Sequence, residues 1–347
     1  MSGEIIARQE GRLGRITLNR PAALHALTRA MCAAMIEALL AWRTKAEVAA
    51  VLIDHAPGTR GFCAGGDIRM LAESGAGDGA AARDFFFTEY RLNHLLKTYP
   101  KPTIALMDGV TMGGGVGISV HGAFRVATAR TTFAMPETGI GLFPDVGGGW
   151  FLPRLPGKVG AWLALTGARL KAADCLAAGV ATHFVPSADL PRLAERLAAD
   201  AAIPQTLAEF AKDAGAPAEL AHRALIDRFF APKSVEEIFA ALEADGDAWA
   251  TAQVATLRTK SPQTMKVSLR QIQEGAQLAG FAENMRMEYR IACRVVRRHD
   301  FIEGVRALIV EKDNAPKWRP ETLEGVTTAM LDEIFAPLPA NEEWTPL

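Results

Sequence analysis

The stretch Ala49–Asp67, AAVLIDHAPGTRGFCAGGD, puts a strand and a glycine-rich loop back to back. Ala49–Asp54 is a short, unbroken apolar run and reads as a buried strand. After a brief turn comes Phe62-Cys63-Ala64-Gly65-Gly66-Asp67. The same order recurs downstream, where the strand-like Thr103–Met107 runs into Gly109-Val110-Thr111-Met112-Gly113-Gly114-Gly115 and opens an apolar segment with helical potential. Working outward, Glu4–Gln9 and Gly14–Leu18 read as paired strands. A helix is predicted over Thr28–Trp42, with Thr28 as N-cap and Met31, Met35, Leu39 and Trp42 on one stripe. Another is predicted over Ala82–Leu96. Strands alternating with helices at this spacing predict an α/β layered core.

Beyond about Asp200 the strand-like runs vanish. Ser261-Pro262 is a helix start, with the hydroxyl as cap and proline in the first turn. Met265, Leu269 and Ile272 then share a face, and further helices are predicted over Phe281–Val296 and Phe301–Ile309. The expected organisation is a core over residues 1–200 and a helical region over residues 201–347. Ser74–Ala82, SGAGDGAAA, is expected to be a mobile loop.

Composition excludes several classes. Of the 347 residues, 49% are hydrophobic and 22% charged, which rules out wholesale disorder. Thirty-eight Lys+Arg against 39 Asp+Glu leave a net charge of −1, so no global basic field exists to hold nucleic acid or an anionic membrane. Met1–Glu10 lacks the apolar run of a secretory leader. The expectation is a soluble cytoplasmic protein with no nucleic-acid or membrane partner. Cys32, Cys63, Cys175 and Cys293 form no Cys-x-x-Cys pair and read as buried small thiols.

Familiar catalytic motifs are missing. Gly157-Lys158 is followed by Val159, so it is no phosphate-binding loop, and Gly113–Gly117 does not fit a dinucleotide fingerprint. Ser119 misses the nucleophile-elbow pattern because His121 stands where glycine is required. No tight metal-ligand cluster occurs among the histidines. What remains is backbone chemistry. Two N–H groups from separate glycine loops can cradle a developing oxyanion, although either loop alone fits an ordinary turn equally well. Two acids, Glu137 and Asp145, lie in the apolar, glycine-rich Met135–Gly149. An acid there is hydrogen-bonded, perturbed in pKa or turned to a cavity. Taken alone, both also fit solvated loop acids or caps.

Together, Asn19-Arg20-Pro21, Ala64-Gly65-Gly66-Asp67, Gly113–Gly115 and Pro136-Glu137 resemble the enoyl-CoA hydratase/isomerase (crotonase) superfamily. Phe133–Thr138, Leu142–Gly149, His299–Arg306 and Pro316-Lys317-Trp318 resemble its 3-hydroxyisobutyryl-CoA hydrolase branch. The resemblance covers most of the chain. It implies an α/β, crotonase-like spiral of ββα units followed by an α-helical C-terminal region, binding an acyl-CoA thioester. The peptide N–H groups of Gly66 and Gly114 would hold the thioester oxygen. Hydratases of the superfamily use two glutamates: Gly117 stands at the first position and Glu137 at the second. Asp145 stands where hydratases usually carry glycine and the hydrolase branch carries aspartate.

The expected reaction is therefore hydrolysis of a short 3-hydroxyacyl-CoA, with 3-hydroxyisobutyryl-CoA of valine catabolism as the implied substrate. Glu137 would attack the carbonyl or activate water. Asp145 would orient water or bind the 3-hydroxyl, and Glu89 would bind substrate, although by sequence alone it reads as an exposed helix acid. Coenzyme A is part of the substrate, and no separate cofactor or metal is expected. The alternatives are an enoyl-CoA hydratase/isomerase and a non-catalytic acyl-CoA-binding protein. The resemblance leaves the oligomeric state open between a trimer-based homo-oligomer, built through C-terminal helices as relatives often are, and a longer helical region that caps its own domain. Arg20, Arg60, Lys101 and Lys317 are candidate phosphate contacts. His25 departs from the family's usual asparagine, and His121 and His183 read as structural.

Overall fold

The computed structural model describes residues 3–200 and 202–347. Among the described residues, nine strands form two sheets: β1 (Ile5–Glu10), β2 (Leu13–Leu18), β3 (Ala50–His55), β4 (Gly61–Cys63), β5 (Thr103–Met107), β6 (Val110–Met112), β7 (Phe124–Ala127), β8 (Thr132–Ala134) and β9 (His183–Phe184). The larger sheet runs β1-β2-β3-β5-β7-β9 and the smaller β4-β6-β8. Only β1 and β2 pair antiparallel, with Ile5 opposite Leu18; the other neighbours pair parallel. The chain thus winds as a spiral. β3–β4, β5–β6 and β7–β8 each place one strand in the large sheet and the next in the small one.

The apolar run of β3 follows from this layering. Val51 and Ile53 enter the main core, whereas Ala50 and Leu52 enter a second core on the opposite face. Alternate side chains of a strand point to opposite faces, so a strand covered on both sides must be apolar throughout. The main core is closed by α1 (Arg29–Arg43) and the second by the helices Leu190–Ala199 and Ile203–Phe210. Thr28 caps α1 as expected, its hydroxyl accepting from the Met31 amide at 3.2 Å.

α2 (Ile68–Ala76) and α3 (Ala80–Lys97) follow the small-sheet strand β4. The expected loop at Ser74–Ala82 is therefore corrected: only Gly77–Gly79 lies between the helices. Ser74 Oγ accepts from the Ala82 amide at 3.0 Å, and a Cβ on Gly75 would stand 2.0 Å from the Val296 carbonyl oxygen. The small residues there mark close packing.

Among the described residues, all secondary structure after β9 is helical. Ser261 caps the helix Pro262–Gly275, accepting from Thr264 N at 3.1 Å. The helix Phe281–Val295 packs on α3. The helix expected over Phe301–Ile309 begins earlier, as an α-helix over His299–Val305, and ends as a π-helical turn over Arg306–Val310. Among the described residues, no helix is long and apolar enough to cross a membrane. The four cysteines are buried and free.

Candidate active site

Parallel pairing brings the carboxyl ends of β4, β6 and β8 side by side, where ligand sites of parallel sheets tend to form. β4 leads into Gly65-Gly66, β6 into Gly113-Gly114 and β8 into Pro136-Glu137. These three loops line a cavity of about 200 Å³ together with Phe85, Phe86, Glu89, Leu142, Asp145 and Ile309. All five sequence-predicted site residues, Gly66, Gly114, Glu137, Asp145 and Glu89, lie on its wall.

Gly65 (φ +122°) and Gly113 (φ +46°) adopt backbone conformations that side chains disfavour, and each precedes one of the predicted donors. Among the described residues, neither the Gly66 nor the Gly114 amide donates to another protein atom outside its own helix or strand. Both walls are tight. A Cβ on Gly66 would stand 2.9 Å from Phe85 Cζ, and one on Gly114 would stand 2.6 Å from Glu89 Oε1.

Three carboxylates share this cavity wall. Glu137 is 4% exposed, Glu89 2% and Asp145 5%. Glu137 begins a 3-10 turn, Glu137–Ile140, held by the Thr138 hydroxyl on the Leu165 carbonyl at 3.2 Å. Its Oε1 lies 3.3 Å from where a Cβ on Gly113 would stand, and its Oε2 has no protein partner. Glu89 comes from α3, with Oε1 likewise unpartnered. Asp145 Oδ2 accepts from the Tyr90 hydroxyl at 2.9 Å. Burial pushes the Glu137 carboxyl well above its ordinary range, and the Asp145 charge adds to this. The same two causes, in the same order, raise Glu89. Burial lifts Asp145 to about 7 against the Tyr90 hydrogen bond. Glu137 Oε2 and Glu89 Oε1, buried without a partner, stand out against the rule that buried polar groups are satisfied.

Gly117 is filled space. A Cβ there would meet Asn93 Nδ2 at 2.6 Å and Val146 Cβ at 2.7 Å. The volume into which a residue 117 side chain would grow is occupied by α3 and by the loop carrying Asp145.

Other sequence candidates fall outside the cavity. His25 is buried at φ +60°. Its Nδ1 accepts from the Arg20 amide at 3.0 Å and its Nε2 meets the Thr59 hydroxyl at the same distance. Histidine, like asparagine, tolerates left-handed backbone and offers a short acceptor, which accounts for the exchange. Burial first, and then His55, depress its pKa to about 4, which keeps it neutral. Arg20 lines a groove of about 430 Å³ that shares Gly66, Ile68 and Ile309 with the cavity and also contains Arg69. Arg60, Lys101 and Lys317 line neither space. The Lys101 ammonium is held by the carbonyls of Trp42 and Lys45 at 2.6 and 2.5 Å. Tyr90 was legible only as a helix aromatic, and Glu288, discussed below, only as an acid on the apolar stripe Phe281–Met285–Ala292.

The family model described as enoyl-CoA hydratase/isomerase matches residues 13–335. The chain belongs to this family. Among curated relatives of this enoyl-CoA hydratase/isomerase family member, the mitochondrial 3-hydroxyisobutyryl-CoA hydrolase of Danio rerio is 48% identical over 96% of this chain and 90% of its own length. That of Homo sapiens is 43% identical over 98% and 90%. A solved structure described as a carnitinyl-CoA dehydratase from Mycobacterium thermoresistibile superposes with a TM-score of 0.94 at 42% identity, covering 99% of both chains. One described as an enoyl-CoA hydratase from Rhodobacter sphaeroides 2.4.1 gives 0.90 at 42% identity, covering 99% of this chain and all of its own. The crotonase-type α/β fold expected from sequence is thereby established. The cytoplasmic expectation is corrected, because these curated hydrolase relatives are named mitochondrial. Net charge and reduced thiols do not distinguish one reducing aqueous compartment from another.

Proposed function

We propose that the protein is an acyl-CoA thioester hydrolase that cleaves 3-hydroxyisobutyryl-CoA to 3-hydroxyisobutyrate and coenzyme A, the step expected in valine catabolism. The observation that carries this reading is a single cavity uniting two undonated loop amides with Glu137 and Asp145, while Gly117 leaves no room for a second hydratase acid. The curated relatives named as this hydrolase support it over nearly the whole chain.

In this reading the thioester carbonyl oxygen lies between the Gly66 and Gly114 amides. As the carbonyl becomes tetrahedral, its charge is met by donors already in place, which need no reorganisation. Glu137, in its ionised form, adds to the carbonyl carbon or takes a proton from the water that does. The carbon–sulfur bond then breaks, and the thiolate leaves and takes up a proton. Where Glu137 itself has added, water then opens the mixed anhydride, which returns the Glu137 carboxylate and releases the hydroxy acid. Asp145, held by Tyr90, meets the 3-hydroxyl or the incoming water, and Glu89 binds the acyl portion. The groove bearing Arg20 and Arg69 receives the remainder of coenzyme A. No separate cofactor enters, since coenzyme A arrives as part of the substrate.

Thiol release across a panel of short acyl-CoA esters, run beside hydration of crotonyl-CoA, tests the proposal. Release is expected to be fastest with 3-hydroxyisobutyryl-CoA, and hydration without thiol release would sink it.

The raised acids give a pH dependence of known sign. A carboxyl whose pKa is lifted ionises only as the pH climbs through it, so kcat/KM should rise with pH along an acid limb. The limb belongs to the coupled carboxylates jointly. Asp145→Asn removes one charge beside Glu137 and should move the limb to lower pH while lowering the plateau. A pH–rate profile of each protein measures this, and an unmoved limb would show that the two acids do not interact.

A further inference from the structure

The loop that carries Asp145 is strained and held from outside. Val146 sits at φ +52° and Gly147 at φ +92°. A β-branched residue in left-handed backbone is a genuine outlier, kept only where its surroundings over-determine it. The His121 ring nitrogen Nε2 donates to the Val146 carbonyl at 2.7 Å, and Gln271 Nε2 donates to the Pro144 carbonyl at 2.8 Å. Glu288, fully buried on the helix Phe281–Val295, accepts from both amides that follow: Gly147 N at 2.7 Å and Gly149 N at 2.9 Å. Between them, Gly148 N returns to the Asp145 carbonyl at 2.8 Å. Asn284 Nδ2 at 2.8 Å and Gln271 Nε2 at 3.1 Å complete the shell around Glu288 Oε1.

Every named partner of Glu288 is an N–H donor, which suits a carboxylate and would oppose a protonated acid. Burial nonetheless lifts it, to about 8, with the Asp145 charge as a lesser cause. An acid this costly to bury, outside the cavity yet bonded to both ends of one short turn, is poorly explained as packing alone.

Resting on the hydrolase reading above, we propose that Glu288 is a positioning residue. It clamps the turn Val146–Gly149 so that Asp145 stays aimed into the cavity, which makes the C-terminal helical region part of the catalytic machinery. Glu288 touches no reacting atom and acts only through Asp145.

Glu288→Gln keeps the volume but replaces one acceptor oxygen by an amino group facing N–H donors. With 3-hydroxyisobutyryl-CoA, kcat should fall about a hundredfold, the scale of a misplaced catalytic group. KM should stay within about threefold, because the coenzyme A groove, which would carry most of the ground-state binding, is untouched. The decisive comparison is the double variant. Asp145→Asn/Glu288→Gln should turn over within about twofold of Asp145→Asn alone, since nothing is left to position. Losses that multiply, or a rise in KM at unchanged kcat, would overturn the positioning role and leave the hydrolase reading standing. A wild-type rate in Asp145→Asn alone would overturn the positioning role, whereas no thiol release by the unaltered protein would overturn the hydrolase reading. If Glu288→Gln does not fold, Gln271→Leu carries the same test. It removes the Pro144 tether and one donor to Glu288, and its smaller kcat loss should likewise vanish in the Asp145→Asn background. A loss that persists there would overturn the proposal.

Discussion

Glu137→Gln is expected to release thiol from 3-hydroxyisobutyryl-CoA about a hundredfold to ten-thousandfold more slowly than the unaltered protein, the range for a lost positioned base or nucleophile. Coenzyme A binding should not change, because the groove through Arg20 and Arg69 is separate from the acid. Retention of more than about a tenth of the rate, equivalent to ~1.4 kcal/mol of barrier or less, would remove Glu137 from its central role. The same substitution should raise thermal stability. Glu137 has a folded-state pKa well above its unfolded value, for burial and, secondarily, the Asp145 charge. The fold therefore binds more protons than the unfolded chain, and stability declines as pH rises through the unfolded value toward the folded one. The neutral amide escapes that decline. Thermal unfolding at neutral pH should show Glu137→Gln melting above the unaltered protein, with the difference shrinking in acid. A lower melting temperature at neutral pH would mean that the Glu137 carboxylate has stabilising partners in the folded protein.

Four strands of the large sheet were readable because five or six residues suffice to show a pattern, whereas β7 and β9, of four and two residues, were not. The apolar β3 run and the Thr28 and Ser261 caps each translate one residue type into one geometry. The small sheet was not readable, since β4, β6 and β8 span three residues each and no periodicity exists in three residues. Yet that sheet is what gathers the three functional loops. The candidate site residues were legible through glycine and acid in unusual company and through the family resemblance, neither of which requires the sheet. What stayed hidden depends on long-range contact. Nothing local marks Val146 as left-handed, because the constraint comes from His121, Gln271 and Glu288, up to 142 positions away. Ser74–Ala82 misled for the same reason: small residues signal flexibility or close approach, and only the distant Val296 carbonyl decides which.

Gly114→Ala should slow turnover sharply through crowding at the cavity wall. Its backbone needs no left-handed conformation, so the penalty is one of space. The new Cβ would stand 2.6 Å from Glu89 Oε1, 3.1 Å from Leu27 Cδ1 and 3.2 Å from the Gly65 carbonyl carbon. Glu89 is buried and has little room to retreat, while the Gly65 contact pushes directly on the opposite donor loop. The two amides of the oxyanion site therefore move apart, and the transition state loses donors that the ground state uses less. Removal of one such donor typically lowers kcat about 10²–10³-fold. The expected signature is a fall of that size in kcat for thiol release with KM little changed, since ground-state binding depends mainly on the coenzyme A groove. Gly66→Ala probes the other donor from a softer wall, because Phe85 Cζ at 2.9 Å belongs to a side chain that can tilt. It should lose less than Gly114→Ala. If instead Gly114→Ala raised KM and spared kcat, the methyl group would be acting on substrate binding, and the two amides would not be where the oxyanion forms.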